Sequence, residues 1–170
     1  MLHLVRHGRP LVRTGVPAHD WELDPTGFDD VWALRESGRL PGNALWFCSP
    51  EPKATQTAQL LTEVEVGVVD GLREHVRDST EWFDDFPGAV RRAFAVPAAA
   101  AYDGWEPIAD CRARVVRAVS GIRSAHPDDE LVLVGHGTAW TLLVSELTGR
   151  PPDLSAWERL AMPDLLVVDG

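Results

Sequence analysis

The chain has little of what would mark it as stapled, metal-bound, nucleic-acid-binding or membrane-spanning. It holds 2 cysteines in 170 residues, Cys48 and Cys111, and two distant thiols make neither a disulfide framework nor a zinc site. Both read as buried free thiols. No apolar run approaches the ~20 residues that cross a bilayer, and no basic stretch followed by a long apolar one opens the sequence as a secretory signal would. Basic charge is also short: the formal net charge is −10, which argues against a nucleic-acid partner. No cluster of acids suggests a metal. Internal repeats, linkers and low-complexity tails are missing, so the simplest expectation is one domain over residues 1–170, in the cytoplasm, with no bound metal or cofactor.

What is present is an alternation of apolar runs and helical patterns. Strands are predicted at Leu2 to Val5, Ala44 to Cys48, Val64 to Val69, Leu131 to Val134 and Leu165 to Val168. Helices are predicted at Thr26 to Ser37, with a Thr26–Asp29 capping box and Phe28, Val31 and Trp32 on one face, and from Ser49-Pro50-Glu51 to Leu61. Two more run from Glu106 to Ala125, with Ile108, Cys111, Val115, Val119 and Ile122 as the apolar stripe, and from Thr138 to Leu147, stopped by Gly149. Strands apolar throughout with helices between them imply an α/β fold, a three-layer sandwich with a mostly parallel central sheet flanked by helices. Residues 75–105 mix acids, prolines and aromatics and read as a short helical excursion over one end of the sheet. Trp82, Phe83 and Phe86 there suit either a substrate entrance or packing.

Ligands bind beyond the carboxyl ends of the strands in an open parallel sheet. Four segments fall at that end: Arg6-His7-Gly8, Ser49 to Lys53, Gly71 to Glu74 and His136-Gly137. Neutral imidazole presents one unprotonated nitrogen near pH 7, so His7 can act as a nucleophile toward phosphorus. Arg6 offers a fork of donors matched to phosphate oxygens. Gly8 gives room for a close backbone approach. His136 can donate to the same group, and the amides that open the helix at Thr138 form a natural anion pocket.

At these residues the chain resembles the histidine phosphatase superfamily, the phosphoglycerate mutase-like group. Leu4-Val5-Arg6-His7-Gly8 is similar to the signature of that family. Leu23-Asp24-Pro25-Thr26-Gly27, Ser49-Pro50 with Gln56-Thr57-Ala58, Leu72-Arg73-Glu74 and Val134-Gly135-His136-Gly137 resemble its further motifs. The resemblance implies a metal-independent phosphoric monoester hydrolase of the histidine acid phosphatase type. His7 would carry the phosphoryl group. Arg6 and His136 would hold its oxygens, and Glu74 would protonate the leaving group and then activate water, with its pKa raised beside an apolar strand.

One departure stands out. The second motif of the family has an arginine where this chain has Lys53, which as a point charge cannot make a bidentate contact. Lys53 reaches phosphate or lies on the helix surface; in the second case Arg9 and Arg13 are the nearby cations, Arg9 lining the entrance. The substrate would be a small phosphorylated molecule or a phosphoprotein, phosphohistidine included. Two alternatives follow: a phosphate-binding regulatory protein with weak or no turnover, and a phosphoglycerate mutase-type transfer.

Overall fold

A computed structural model describes residues 1–169. Five strands form one sheet: β1 (Leu2–Arg6), β2 (Leu45–Cys48), β3 (Val66–Val68), β4 (Leu131–Gly135) and β5 (Asp164–Val168). Their order is β3-β2-β4-β1-β5. The pairs β1–β4, β2–β4 and β2–β3 are parallel, and only the edge strand β5 runs antiparallel to β1. The α/β sandwich with a mostly parallel sheet is therefore the observed architecture.

Every residue of β4 is buried, because it is central in the sheet and helices cover both of its faces. Its side chains alternate between two cores. Leu131 and Leu133 join Leu2, Leu4 and the stripes of α4 (Ile108–Ala125) and α5 (Gly137–Thr148). Val132 and Val134 join Val5, Trp46 and Cys48 on the face covered by α1 (Phe28–Glu36) and α2 (Pro52–Leu61). All five residues of the predicted α4 stripe are buried, and both thiols are buried and free. Two further helices, α3 (Phe86–Ala95) and α6 (Leu154–Arg159), complete the fold. The first is the expected excursion; the second was not foreseen, its start capped by the Asp153 side chain. Among the described residues no helix is long and apolar enough to cross a membrane.

Local details differ from the sequence reading for identifiable reasons. The Asp24 side chain, not Thr26, caps the turn before α1 by accepting the Thr26 N–H, so a short 3-10 turn over Pro25–Gly27 precedes the helix. Trp32 is exposed rather than on the buried face. α2 begins at Pro52 rather than at Pro50, and Glu51, at φ −66 and ψ 133, is extended. A residue before proline is driven out of the helical region, so Pro52 delays the helix by two positions and turns the Glu51 side chain into a different role. Gly149, at φ +66, ends α5 in the left-handed conformation that a side chain would strain.

Candidate active site

Strand register does most of the assembly. Arg6 lies opposite Gly135 and Cys48 opposite Val134. The ladder continues one step past the strands: the His7 N–H donates to Gly135 O at 2.9 Å and the Ser49 N–H to Val134 O at 2.9 Å. His7, Ser49 and His136 therefore leave the sheet side by side. The two imidazoles lie edge to face, ring centres 5.2 Å apart. Trp140 braces this end from below: its indole N–H donates to Val5 O at 2.9 Å, and its ring lies so close to Gly135 that a Cβ there would come within 2.5 Å.

His7 is buried, and its Nδ1 lies 2.6 Å from Gly8 O. A carbonyl only accepts, so Nδ1 carries the proton and Nε2 is left with a free lone pair. Burial, then His136 and Lys53, push the His7 pKa well below its ordinary value, which keeps the ring neutral. Gly8 is closely packed: its N–H donates to Thr57 Oγ1 at 2.9 Å, and a Cβ would strike Leu23 and Val31 at 2.8 Å.

His136 is fully buried beside His7. Its Nε2 meets Ser49 Oγ at 2.8 Å and lies 3.6 Å from Glu51 Oε1. Its Nδ1 has no partner among the described residues. Burial lowers its pKa, opposed by Glu51 and Glu74. Arg6 donates through Nη1 to Leu160 O at 2.6 Å, while its buried Nε is unpartnered among the described residues.

Glu74 departs from expectation. Oε1 accepts the N–H groups of His75 at 2.9 Å and Ala139 at 3.0 Å, and Oε2 accepts that of Thr138 at 3.1 Å. Arg77 lies 3.8 Å away. Burial alone would raise the carboxyl pKa, but Arg77, His136 and the amides hold it down at about 2. The raised value anticipated from an apolar neighbour is corrected to a lowered one, because the carboxylate faces Arg77 and His136 and accepts backbone amides, two of them at the N-terminus of α5. The amides expected to receive an external anion thus already hold an internal one.

Lys53 points neither to the surface nor to open solvent. Its side chain is buried, with Nζ 2.5 Å from Glu51 Oε2 and 2.6 Å from Ala18 O. Arg9 turns away to Asp30 at 3.6 Å and is exposed, so it does not line the entrance. Arg13 stands at the cavity but is tied to Glu22 at 2.7 Å.

Part of this assembly lines a cavity of about 670 Å3. Arg6, His7, Glu51, Lys53 and Glu74 lie at its base, and Trp21, Trp82, Phe83, Phe86, Trp105 and Trp157 contribute to its wall. Arg77 lies over the Phe86 and Trp105 rings at 4.9 and 5.3 Å. Ser49, Glu51, Thr57 and Arg77 were missed as site residues. The first two carried a usable signal, since they follow a strand at its carboxyl end; Arg77 falls in the stretch with no readable period. No group of acids, histidines and cysteines suited to a metal occurs among the described residues.

The sequence profile of the histidine phosphatase superfamily (branch 1) matches residues 2–168, and the chain belongs to that superfamily. No curated protein matches it in sequence. Among solved structures it is similar to a mycobacterial glucosyl-3-phosphoglycerate phosphatase, at 27% identity and TM-score 0.71, over 94% of this chain and 84% of that one. It shares its fold with YhfR of Bacillus stearothermophilus, at 23% identity and TM-score 0.77, over 99% and 91%. The phosphoserine phosphatase of Entamoeba histolytica has the same fold at 17% identity and TM-score 0.73, over 98% and 94%.

Proposed function

We propose that the protein hydrolyses phosphomonoesters through a phosphohistidine on His7. The observation that carries this reading is the tautomer of His7: Nδ1 is committed to Gly8 O, which leaves Nε2 as a neutral nucleophile. In the first step Nε2 forms a bond to phosphorus, the phosphorus–oxygen bond to the leaving group breaks, and that oxygen takes a proton. In the second step water attacks the phosphoryl group, gives up a proton and releases phosphate, restoring Nε2. No metal is needed, because Arg6 and Lys53 neutralise the phosphoryl oxygens and His136 donates to them. The buried donors without protein partners, Arg6 Nε and His136 Nδ1, support this assignment, since such groups are costly unless a ligand satisfies them.

Glu74 is the carboxylate placed to serve the leaving group and the water. Ionised in the free site, it is ready as a base for the second step. For the first, the charge of the bound phosphoryl group raises its pKa, as neighbouring anions raise each other. The neutral state of His7 below the usual histidine range suits hydrolysis in mildly acidic solution, as in a histidine acid phosphatase. The cavity size suits a small phosphorylated molecule, in line with the substrates named for the mycobacterial phosphatase. The test is intact-mass measurement after rapid acid-free quenching with a chromogenic aryl phosphate. An adduct of one phosphoryl group that vanishes in His7→Ala supports the mechanism; full turnover by that variant ends it.

The pairing of Lys53 with Glu51 favours a second reading, phosphate binding with slow turnover, because it withdraws a cation from the floor. A protein that binds phosphate but leaves every member of a broad phosphomonoester panel intact would fit that reading instead.

A further inference from the structure

Glu51 is an acid where a phosphate site would be expected to hold only donors. It is buried and stands at the cavity floor. Oε2 accepts from Lys53 Nζ at 2.5 Å, and Oε1 accepts the Glu74 N–H at 2.8 Å and lies 3.6 Å from His136 Nε2. Burial would raise its pKa, but His136, Lys53 and that amide hold it down, so the carboxylate is charged. A carboxylate with these three neighbours occupies the electrostatic position of a phosphoryl oxygen.

Lys53 is the only lysine in the sequence; the other 15 of its 16 basic side chains are arginines. A lysine on a flexible stem can exchange one oxygen partner for another, whereas an arginine fork fixed by two bonds exchanges less readily. The Lys53 Nζ is held by two oxygens, one from the Glu51 side chain and one from the Ala18 backbone. Release of the first leaves the second as a pivot.

We propose that Glu51 is a built-in competitor of the substrate phosphoryl group: it holds Lys53 in the free protein, yields it when the phosphoryl group enters, and then serves as the counter-ion of His136. This rests on the phosphatase reading. Glu51 so acts as a positioning residue that weakens retention of product phosphate. Its removal makes the site bind anions better and turn over worse. That split between affinity and turnover is one that a purely structural role does not produce.

The experiment is titration calorimetry with orthophosphate and orthovanadate on wild type, Glu51→Gln and the double variant Glu51→Gln/Lys53→Met, beside steady-state kinetics. Glu51→Gln is expected to bind both anions about tenfold or more tightly, since a like charge leaves a low-dielectric site, with a lower kcat and stronger product inhibition. The double variant is expected to lose the gain. Unchanged or weaker binding in a folded Glu51→Gln overturns the proposal, and so does a gain that survives in the double variant. Wild type alone gives a second measurement: with a single lysine, 13C-lysine labelling yields one side-chain Cε resonance. It is expected to move on saturation with orthophosphate, and a fixed resonance in the phosphate-bound protein overturns the release of Lys53. If wild type neither binds phosphate nor hydrolyses the aryl ester, both this proposal and the phosphatase reading fall. If it does both while Glu51→Gln matches it, only the competitor role falls.

Discussion

The floor and the wall of the cavity are built on different principles. On the floor, His7 is set by a hydrogen bond that prolongs the β ladder, as is Ser49 buried nearby, and Glu74 by three backbone amides. Such groups cannot drift without breaking the sheet or the start of α5. The wall is made of side chains. Arg77 rests on aromatic faces, and Trp82 stands 64% exposed. Backbone anchoring gives the reacting atoms the fixed geometry on which preorganised electrostatics depend. Side-chain anchoring leaves the leaving group a surface that adapts. Damage to the floor is therefore expected to abolish turnover for every substrate, and damage to the wall to redistribute it among substrates.

The sharpest break is His7→Ala, expected to lower kcat by at least about 10^3-fold for all phosphomonoesters, measured by phosphate release. Retention of activity toward even one ester would show that the floor is not the common element. Next comes Glu74→Gln. The amide NH2 must stand either at Oε2, against the Thr138 N–H, or at Oε1, against those of His75 and Ala139; either way a donor faces a donor, so about 1–3 kcal/mol of stability is lost together with about 10^2-fold or more in kcat. Thermal unfolding and kinetics together check this; a stable, active variant would mean that the α5 amides hold Glu74 for neither purpose.

Protons should also be refused by the buried histidines. His3, His7, His75 and His136 all have pKa values lowered first by burial. A histidine held neutral in the fold but titrating near 6.5 when unfolded contributes fully above that pH and loses stability as pH falls below it, since the unfolded chain takes up protons the fold refuses. The Glu74 contribution, present above 4.5, is lost as pH falls from there toward about 2. Denaturant midpoints are thus expected to drop from pH 7 to 5 and further toward pH 3. The acid limb of kcat/KM, which reports the free protein, is expected below the ordinary histidine range. A limb at or above pH 6.5 would place the essential base elsewhere than His7.

The same division explains what could be read from residues alone. Apolar β-strands ending in Arg6-His7 and Gly135-His136 announce both the parallel sheet and the meeting of the histidines, because register is carried by the period of the strand. The α4 stripe was legible for the same reason at helical period. The helix start at Pro52 was misplaced because Ser49-Pro50-Glu51 and Glu51-Pro52 give competing signals, and the restriction before proline prevailed. Charge states were not legible at all. Glu74 comes shortly after an apolar strand in the sequence, yet its carboxylate meets amides from α5, 64 and 65 residues on. Glu51 looked like a helix-start acid and proves to be the partner of Lys53. Such pairings depend on where side chains end up in three dimensions, which no local pattern encodes.

The mildest test is Trp82→Ala. The indole is largely exposed, makes no hydrogen bond among the described residues and lines only the wall, so stability should stay within about 0.5 kcal/mol of wild type. Esters with a bulky apolar leaving group can bury surface against it and ones as small as methyl phosphate cannot. The variant is therefore expected to lose about threefold to tenfold in kcat/KM for a naphthyl ester, the range of one to a few methylene equivalents of contact, with methyl phosphate unchanged. Parallel losses on both would mean that Trp82 acts on the floor after all, by holding Phe83 or Arg77 in place, and the wall would then be as rigidly coupled to the chemistry as the sheet end is.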